Sequence, residues 1–239
     1  CTLPQRPRRF STGLLLACED QSAFLTTMKR ILFLPVLLLL SWASLGAAKK
    51  PNIICILVDD LGYSDLSSFG GKDILTPAID GLMKAGLRFD QFYANCTVCT
   101  PTRASLMTGR YPDMVGAPGV IRQWEKDSWG YFRPSGPTLP EMLKKAGYHT
   151  GMVGKWHLGH GPGQRPFQRG FERTFMMADT GSDNWEEKPY LPIYRKANWY
   201  ADGEPAHLPD DFYSSKFFVD KTLEFIDGNA HDGRPFFAY

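Results

Sequence analysis

Pro51-Asn52-Ile53-Ile54-Cys55-Ile56-Leu57-Val58-Asp59-Asp60-Leu61-Gly62 is the stretch from which the architecture is read. Asn52 to Val58 is a nearly continuous apolar run rich in β-branched residues, which predicts a strand buried on both faces. Such strands belong to sheets covered by helices, so the expected fold class is α/β, with a mostly parallel central sheet and helices on both faces. The run ends in two acids, at the carboxyl end of the strand, where open α/β sheets place their ligands. Adjacent carboxylates repel, and a hard divalent metal with oxygen ligands relieves that repulsion. Asp59 and Asp60 are therefore candidate metal ligands. The competing reading is one solvated acid beside one helix cap.

A second stretch lies downstream, Cys99-Thr100-Pro101-Thr102-Arg103-Ala104-Ser105-Leu106-Met107-Thr108-Gly109-Arg110. Pro101 suits the first turn of a helix, where its missing N–H costs nothing, and Gly109 offers a stop. Cys99 then sits where free backbone N–H groups and the positive end of the helix dipole favour an anion. Arg103 brings a fixed cation to the same place one turn later. The site reads as an anion-handling nucleophile. Cys96-Thr97-Val98-Cys99 also has the spacing of a redox pair or half a zinc site, but no further Cys or His ligands are spaced to complete the latter. A third string, Gly154-Lys155-Trp156-His157-Leu158-Gly159, follows a predicted strand over Tyr148–Val153. Lys155 and His157 are two apart, so an extended chain would point both to one side.

These three strings together resemble type I sulfatases, of the arylsulfatase-like, alkaline-phosphatase-like kind. Cys99-Thr-Pro-Thr-Arg103 with Thr108-Gly109-Arg110 is similar to the family signature, Asp59-Asp60-Leu61-Gly62 to its first metal-binding pair, and Gly154 to Gly159 to its second motif. The resemblance implies that Cys99 is oxidised to formylglycine by a formylglycine-generating enzyme or its equivalent. The hydrated aldehyde would then attack the sulfur of an aryl or carbohydrate sulfate. It implies that Asp59, Asp60 and the modified Cys99 bind calcium, with magnesium the second choice. It implies further that Arg103 stabilises the hydrate, that Lys155 bridges to a sulfate oxygen and that His157 assists release of sulfate. Phosphate and phosphonate ester hydrolases of the same wider fold share the Cys-x-Pro-x-Arg pattern and form the alternative, as does an inactive fragment. The resemblance covers about residues 50–239, the first half of such an enzyme. The family's later Asp-Asn pair, Lys and His have no counterpart here, so residues 49–239 are expected to be the N-terminal part of a catalytic domain, inactive alone.

The composition agrees with a globular domain. There are 239 residues, 43% hydrophobic and 13% aromatic, enough for a substantial core. The formal net charge is +2; setting aside residues 1–48, with five Lys/Arg and two acids, leaves the remainder one charge negative. Nothing there points to nucleic acid as a partner. Of the five cysteines, Cys55 lies in the apolar run and is expected to pack as a small hydrophobe. Met28-Lys29-Arg30, the apolar run Ile31–Trp42 and the small residues to Ala48 have the plan of a secretory signal peptide. The run falls short of the roughly 20 residues of a spanning helix. Residues 1–27 read as an upstream extension, 28–48 as the signal, and the destination as secreted or periplasmic, without a stable membrane span.

Periodicity and punctuation place the remaining elements. Thr76-Pro77 starts a helix with Ile79, Leu82 and Met83 as its buried stripe and Gly86 as its stop, and Leu87–Tyr93 reads as a short strand. Residues 111–137 read as a long surface excursion, either packing over the sheet or forming a substrate wall. Thr138-Leu139-Pro140-Glu141 fits a capping box opening a helix to Ala146. Residues 161–211 read as irregular, with Asp183-Asn184 either touching substrate or, the preferred reading, capping a turn, and a small hairpin over 190–202. Residues 213–226 read as a helix with Val219, Leu223 and Ile226 on one face, and Arg234–Tyr239 as another buried strand.

Overall fold

The structure, a computed structural model, describes residues 49–123 and 125–239. The predicted extension and signal segment, residues 1–48, lie outside the described residues. In chain order the main elements are β1 (Ile53–Ile54), α1 (Pro77–Ala85), α2 (Cys99–Thr108), α3 (Leu139–Lys145), β2 (His149–Lys155), β3 (Arg173–Met177), β4 (Trp199–Ala201), β5 (Glu204–Pro205), α4 (Ser214–Gly228) and β6 (Phe236–Ala238). The strands form one sheet in the order β1-β6-β2-β3-β4-β5. β1, β6, β2 and β3 are parallel, and β4 and β5 add an antiparallel margin.

Strand alternation divides the sheet into two apolar faces. Met152, Met176 and Phe237 join Ala104 and Met107 of α2 in one core, with Leu139 and Leu143 of α3 packed against it. On the other face α4 lays Phe217 against Phe175 (ring centroids 4.8 Å apart) and Phe225 against Phe236 (6.2 Å). Gly151 lies directly under Phe225, whose ring carbons would stand 2.8 Å from a Cβ there. The α/β class with helices on both faces therefore holds. The capping box of α3 is present, with the Glu141 carboxylate accepting the Thr138 N–H at 2.6 Å. Cys55 packs against the core, and its burial pushes the thiol pKa up.

Several expectations need correction. The run from Asn52 to Val58 is not a strand buried on both faces: β1 covers only Ile53–Ile54, at an edge of the sheet among the described residues, and Ile54, Ile56, Leu57 and Val58 are exposed while Ile53 and Cys55 pack on the core. The expected stripe of α1 is not buried either; the helix packs on the Ser67–Phe69 turn, where Asp80 accepts the Ser67 hydroxyl at 2.6 Å and the Ser68 N–H at 3.1 Å. Residues 87–93 form no strand, and Leu87, Phe89, Phe92 and Tyr93 are exposed. Residues 111–137 are no surface excursion: Val115, Ala117, Ile121 and Phe132 are core residues. Backbone pairs such as Trp129 N–H to Val120 O and Arg133 N–H to Val115 O fold that segment back on itself. Residues 161–211 contain β3, whose Thr174 and Met176 are buried, and the hairpin is displaced to β4–β5. On α4 the sheet-facing residues are Phe217 and Phe225, while Val219 and Leu223 face outward, since the larger aromatic rings fill the groove over Gly151.

Candidate active site

The parallel run of β1, β6 and β2 brings the carboxyl ends of all three strands to one margin of the sheet. α2 starts there. Its first residue is Cys99, preceded by extended Val98, whose carbonyl accepts the Thr102 N–H. Its other end closes at Gly109, whose φ of 65° lies in the left-handed region that glycine adopts without strain. Thr100 pins the helix start to the chain leaving β2, donating to the His157 carbonyl at 2.9 Å and accepting the Ile121 N–H at 3.3 Å.

Two oxygens and one sulfur converge beside that helix start. Ligand atoms of Asp59, Asp60 and Cys99 all lie within 4.8 Å of one another, the one such group of three among the described residues. Asp60 has a φ of 54°, sparsely populated by residues other than glycine and tolerated best by Asn and Asp. Asp59 faces two cations. Lys155 donates to its Oδ2 at 2.5 Å and Arg103 lies 3.4 Å from its Oδ1. Burial pushes the Asp59 carboxyl pKa up, but the Lys155 hydrogen bond and the charges of Lys155 and Arg103 outweigh it, so the carboxyl sits below its ordinary range.

The cations are themselves held. Lys155 also donates to Thr180 Oγ1 at 2.9 Å. Arg103, only 4% exposed, donates through Nη1 to the Lys155 carbonyl and to Tyr239 Oη, each at 2.8 Å. The side-by-side pairing expected of Lys155 and His157 does not hold, because β2 ends at Lys155 and His157 has a φ of 56°. His157 is instead buried, with its N–H donated to the Ala178 carbonyl at 3.1 Å. Neither ring nitrogen makes a well-formed hydrogen bond among the described residues, although the Ile121 backbone lies close enough to favour the charged ring. Burial, then the nearby charges of Lys155 and Arg103, push its pKa down to about 4, so the ring is neutral at neutral pH. Between these two residues Trp156 is the anchor: it is fully buried, edge-on to Phe132 and Phe171, and its indole N–H donates to the Gln164 carbonyl at 2.9 Å.

The structure thus joins Asp59, Asp60, Cys99, Arg103 and Lys155 directly, and His157 through its backbone and the field of the two cations. It adds Thr180 and Tyr239, which sequence reasoning missed, since a lone Thr and a lone Tyr carry no spacing signal. Also missed is buried Asp179, which accepts from Asn198 Nδ2 at 2.7 Å and Gln123 Nε2 at 3.0 Å and lies 3.4 Å from His160 Nδ1. Asp183 caps a turn as expected, accepting the N–H groups of Trp185 and Glu186. Cys96 and Cys99 are both free thiols.

Residues 51–239 match the family model described as Sulfatase. The chain belongs to the sulfatase family. Bovine arylsulfatase A is 38% identical over 216 residues, covering 82% of this chain and 41% of that protein. Rat N-acetylgalactosamine-6-sulfatase is 35% identical over 221 residues, covering 87% of this chain and 42% of its own length. Arylsulfatase of Klebsiella aerogenes is 35% identical over 212 residues, covering 85% and 44%. Among solved structures, Ps i-CgsB superposes with a TM-score of 0.70 at 32% identity, over 80% of this chain and 44% of that one. The chain therefore spans less than half the length of these sulfatase relatives. Among the described residues, no helix is long and apolar enough to cross a membrane.

Proposed function

We propose that this chain carries the nucleophile and the first metal ligands of a secreted or periplasmic enzyme that hydrolyses aryl or carbohydrate sulfate esters. The convergence of Asp59, Asp60 and Cys99 beside Lys155 and Arg103 is the observation that carries the reading. The donor set fits a divalent cation of the calcium or magnesium kind. Two carboxylates supply hard oxygen donors, whereas a thiol is a soft third ligand that such an ion accepts poorly. Oxidation of Cys99 to formylglycine would replace that sulfur by oxygen, so the proposed modification and the proposed ion favour each other. When bound, the cation lowers the pKa of the attacking hydroxyl and neutralises sulfate charge.

The chain's own residues supply the rest. Cys99 at the start of α2 presents its side chain where helix N–H groups attract an anion. Lys155, fixed by Asp59 and Thr180, has a third N–H for a sulfate oxygen. Arg103 is fixed by two oxygen acceptors, so its charge needs no rearrangement as charge spreads over the sulfuryl oxygens. His157, held neutral by burial and by the charges of Lys155 and Arg103, accepts a proton as sulfate leaves.

The test is the full-length protein made together with a formylglycine-generating enzyme. Peptide mass spectrometry is expected to find an aldehyde at residue 99, and an aryl sulfate is expected to turn over faster than the matching aryl phosphate. The Cys99→Ala variant is expected to lose turnover by at least ~10³-fold while still binding sulfate ester. Turnover with only an unmodified thiol at residue 99 would refute the nucleophile, and a preference for the phosphate would move the assignment to the phosphohydrolase reading.

A further inference from the structure

Asp179 is a buried carboxylate that the proposed mechanism leaves unused. It is only 5% exposed. Burial pushes its pKa up, but His160, Asn198 and Gln123 outweigh that, so the group sits below the ordinary carboxylate range and stays ionised. A buried charge is costly unless it is paired, so its partners define its role. They come from three separate segments. Asp179 Oδ2 accepts from Asn198 Nδ2 at 2.7 Å, just ahead of β4, and from Gln123 Nε2 at 3.0 Å, within the 111–137 segment. Asp179 Oδ1 lies 3.4 Å from His160 Nδ1, shortly after His157 in the chain. Gln123 is itself fixed by the Lys196 carbonyl, to which it donates at 2.7 Å.

The residues on either side of Asp179 are the ones that hold the site. The Ala178 carbonyl accepts the His157 N–H at 3.1 Å, and Thr180 Oγ1 accepts from Lys155 Nζ at 2.9 Å. β3 ends at Met177. Past that point the corner at 178–180 is tied down by the Ala178 N–H, which donates to the Asn198 carbonyl at 2.9 Å, and by the Asp179 side chain. His157 depends on that corner. Its φ of 56° is a position that a residue other than glycine keeps only when its surroundings hold it there. The Thr100 hydroxyl holds its carbonyl and Ala178 holds its N–H. Among the described residues, Asp179 has no hydrogen bond or ion pair to Asp59, Asp60 or Cys99.

We infer that Asp179 is a positioning residue for the proposed reaction: by tying Gln123, Asn198 and His160 to the 178–180 corner, it sets where Ala178 holds His157 and where Thr180 holds Lys155. The inference rests on the sulfatase reading and deepens it. It is tested with the full-length enzyme made together with a formylglycine-generating enzyme. In Asp179→Ala, kcat on an aryl sulfate is expected to fall by ~10²-fold as His157 shifts. KM is expected to rise by ~10-fold as Lys155 shifts with it. The aldehyde content at residue 99 is expected to stay unchanged. Asp179→Asn keeps an oxygen for the two amides and is expected to restore most of both constants. Thr138→Ala is the control, since lost stability elsewhere removes active molecules and lowers the apparent kcat without moving KM. An unmoved KM in Asp179→Ala, or no rescue by Asp179→Asn, would overturn the positioning role. If Asp179→Ala does not fold, Gln123→Ala and Asn198→Ala decide: each is expected to raise KM, and an unmoved KM in both overturns the role. Absence of turnover on every sulfate ester by the unaltered enzyme would instead remove the sulfatase reading. The role is then decided by the ring ¹⁵N signals of His157: displacement in Asp179→Ala but not in Thr138→Ala supports it, and unmoved signals overturn it.

Discussion

At the scale of single residues, the geometry assigns different jobs to groups that look alike in the sequence. Asp59 and Asp60 are adjacent, yet Asp59 is bracketed by Lys155 and Arg103 while Asp60 occupies a left-handed backbone position beside it. His157 was legible as a motif residue, but its state was not: its burial and the charges of Lys155 and Arg103 come from segments far apart in the chain. Its titration has a definite sign. The folded pKa, about 4, lies below the ordinary 6.5, so the unfolded chain takes up a proton in that interval and the native protein does not. This contribution to stability is fully present above pH 6.5 and is lost as pH falls toward about 4. In urea denaturation of the full-length protein across that interval, His157→Gln is expected to flatten the dependence of stability on pH by ~1.4 kcal/mol per pH unit. An unchanged slope would show that the ring is not held neutral.

At the scale of elements, the punctuation of the sequence was the most legible layer. The start of α2 near Cys99, its stop at Gly109 and the capping box of α3 were all readable, because caps and stops depend on local backbone chemistry. What each element packs against was not readable, and the exposed stripe of α1 and the outward Val219 and Leu223 of α4 are the result. α3 shows how close the packing is. Gly170 has a φ of 98°, and a Cβ there would lie 2.4 Å from the Glu141 backbone nitrogen, at the first turn of α3. Gly170→Ala is therefore expected to destabilise the protein by ~3 kcal/mol or more, through backbone strain and overpacking together. Thr138→Ala, which removes a buried hydroxyl that donates to the Arg169 carbonyl at 2.9 Å, is expected to cost ~1–2 kcal/mol. Denaturation midpoints for the two variants check the order, and a milder effect at Gly170 than at Thr138 would contradict it.

At the scale of the whole molecule, the proposed cation should link distant segments, since Asp59 and Asp60 follow β1 and Cys99 opens α2. Calcium is expected to raise the thermal stability of the full-length protein, by ~2.7 kcal/mol at a hundred times its dissociation constant. Chelation should reverse the gain, and Asp60→Asn should abolish it; a melting temperature indifferent to calcium, magnesium and chelator would remove the metal from the proposal. The sequence alone determined the class of fold, the chemistry-bearing strings and the ends of several helices, because those depend on residue type, short spacing and local backbone geometry. Tertiary structure alone decided that β1 lies at an edge of the sheet among the described residues, that β3 exists, and that Phe132 is core. It alone brought Thr180 to Lys155 and Tyr239 to Arg103. Those facts depend on which strands become neighbours and which side chains meet, and contacts between residues many positions apart leave no mark on the local pattern of either segment.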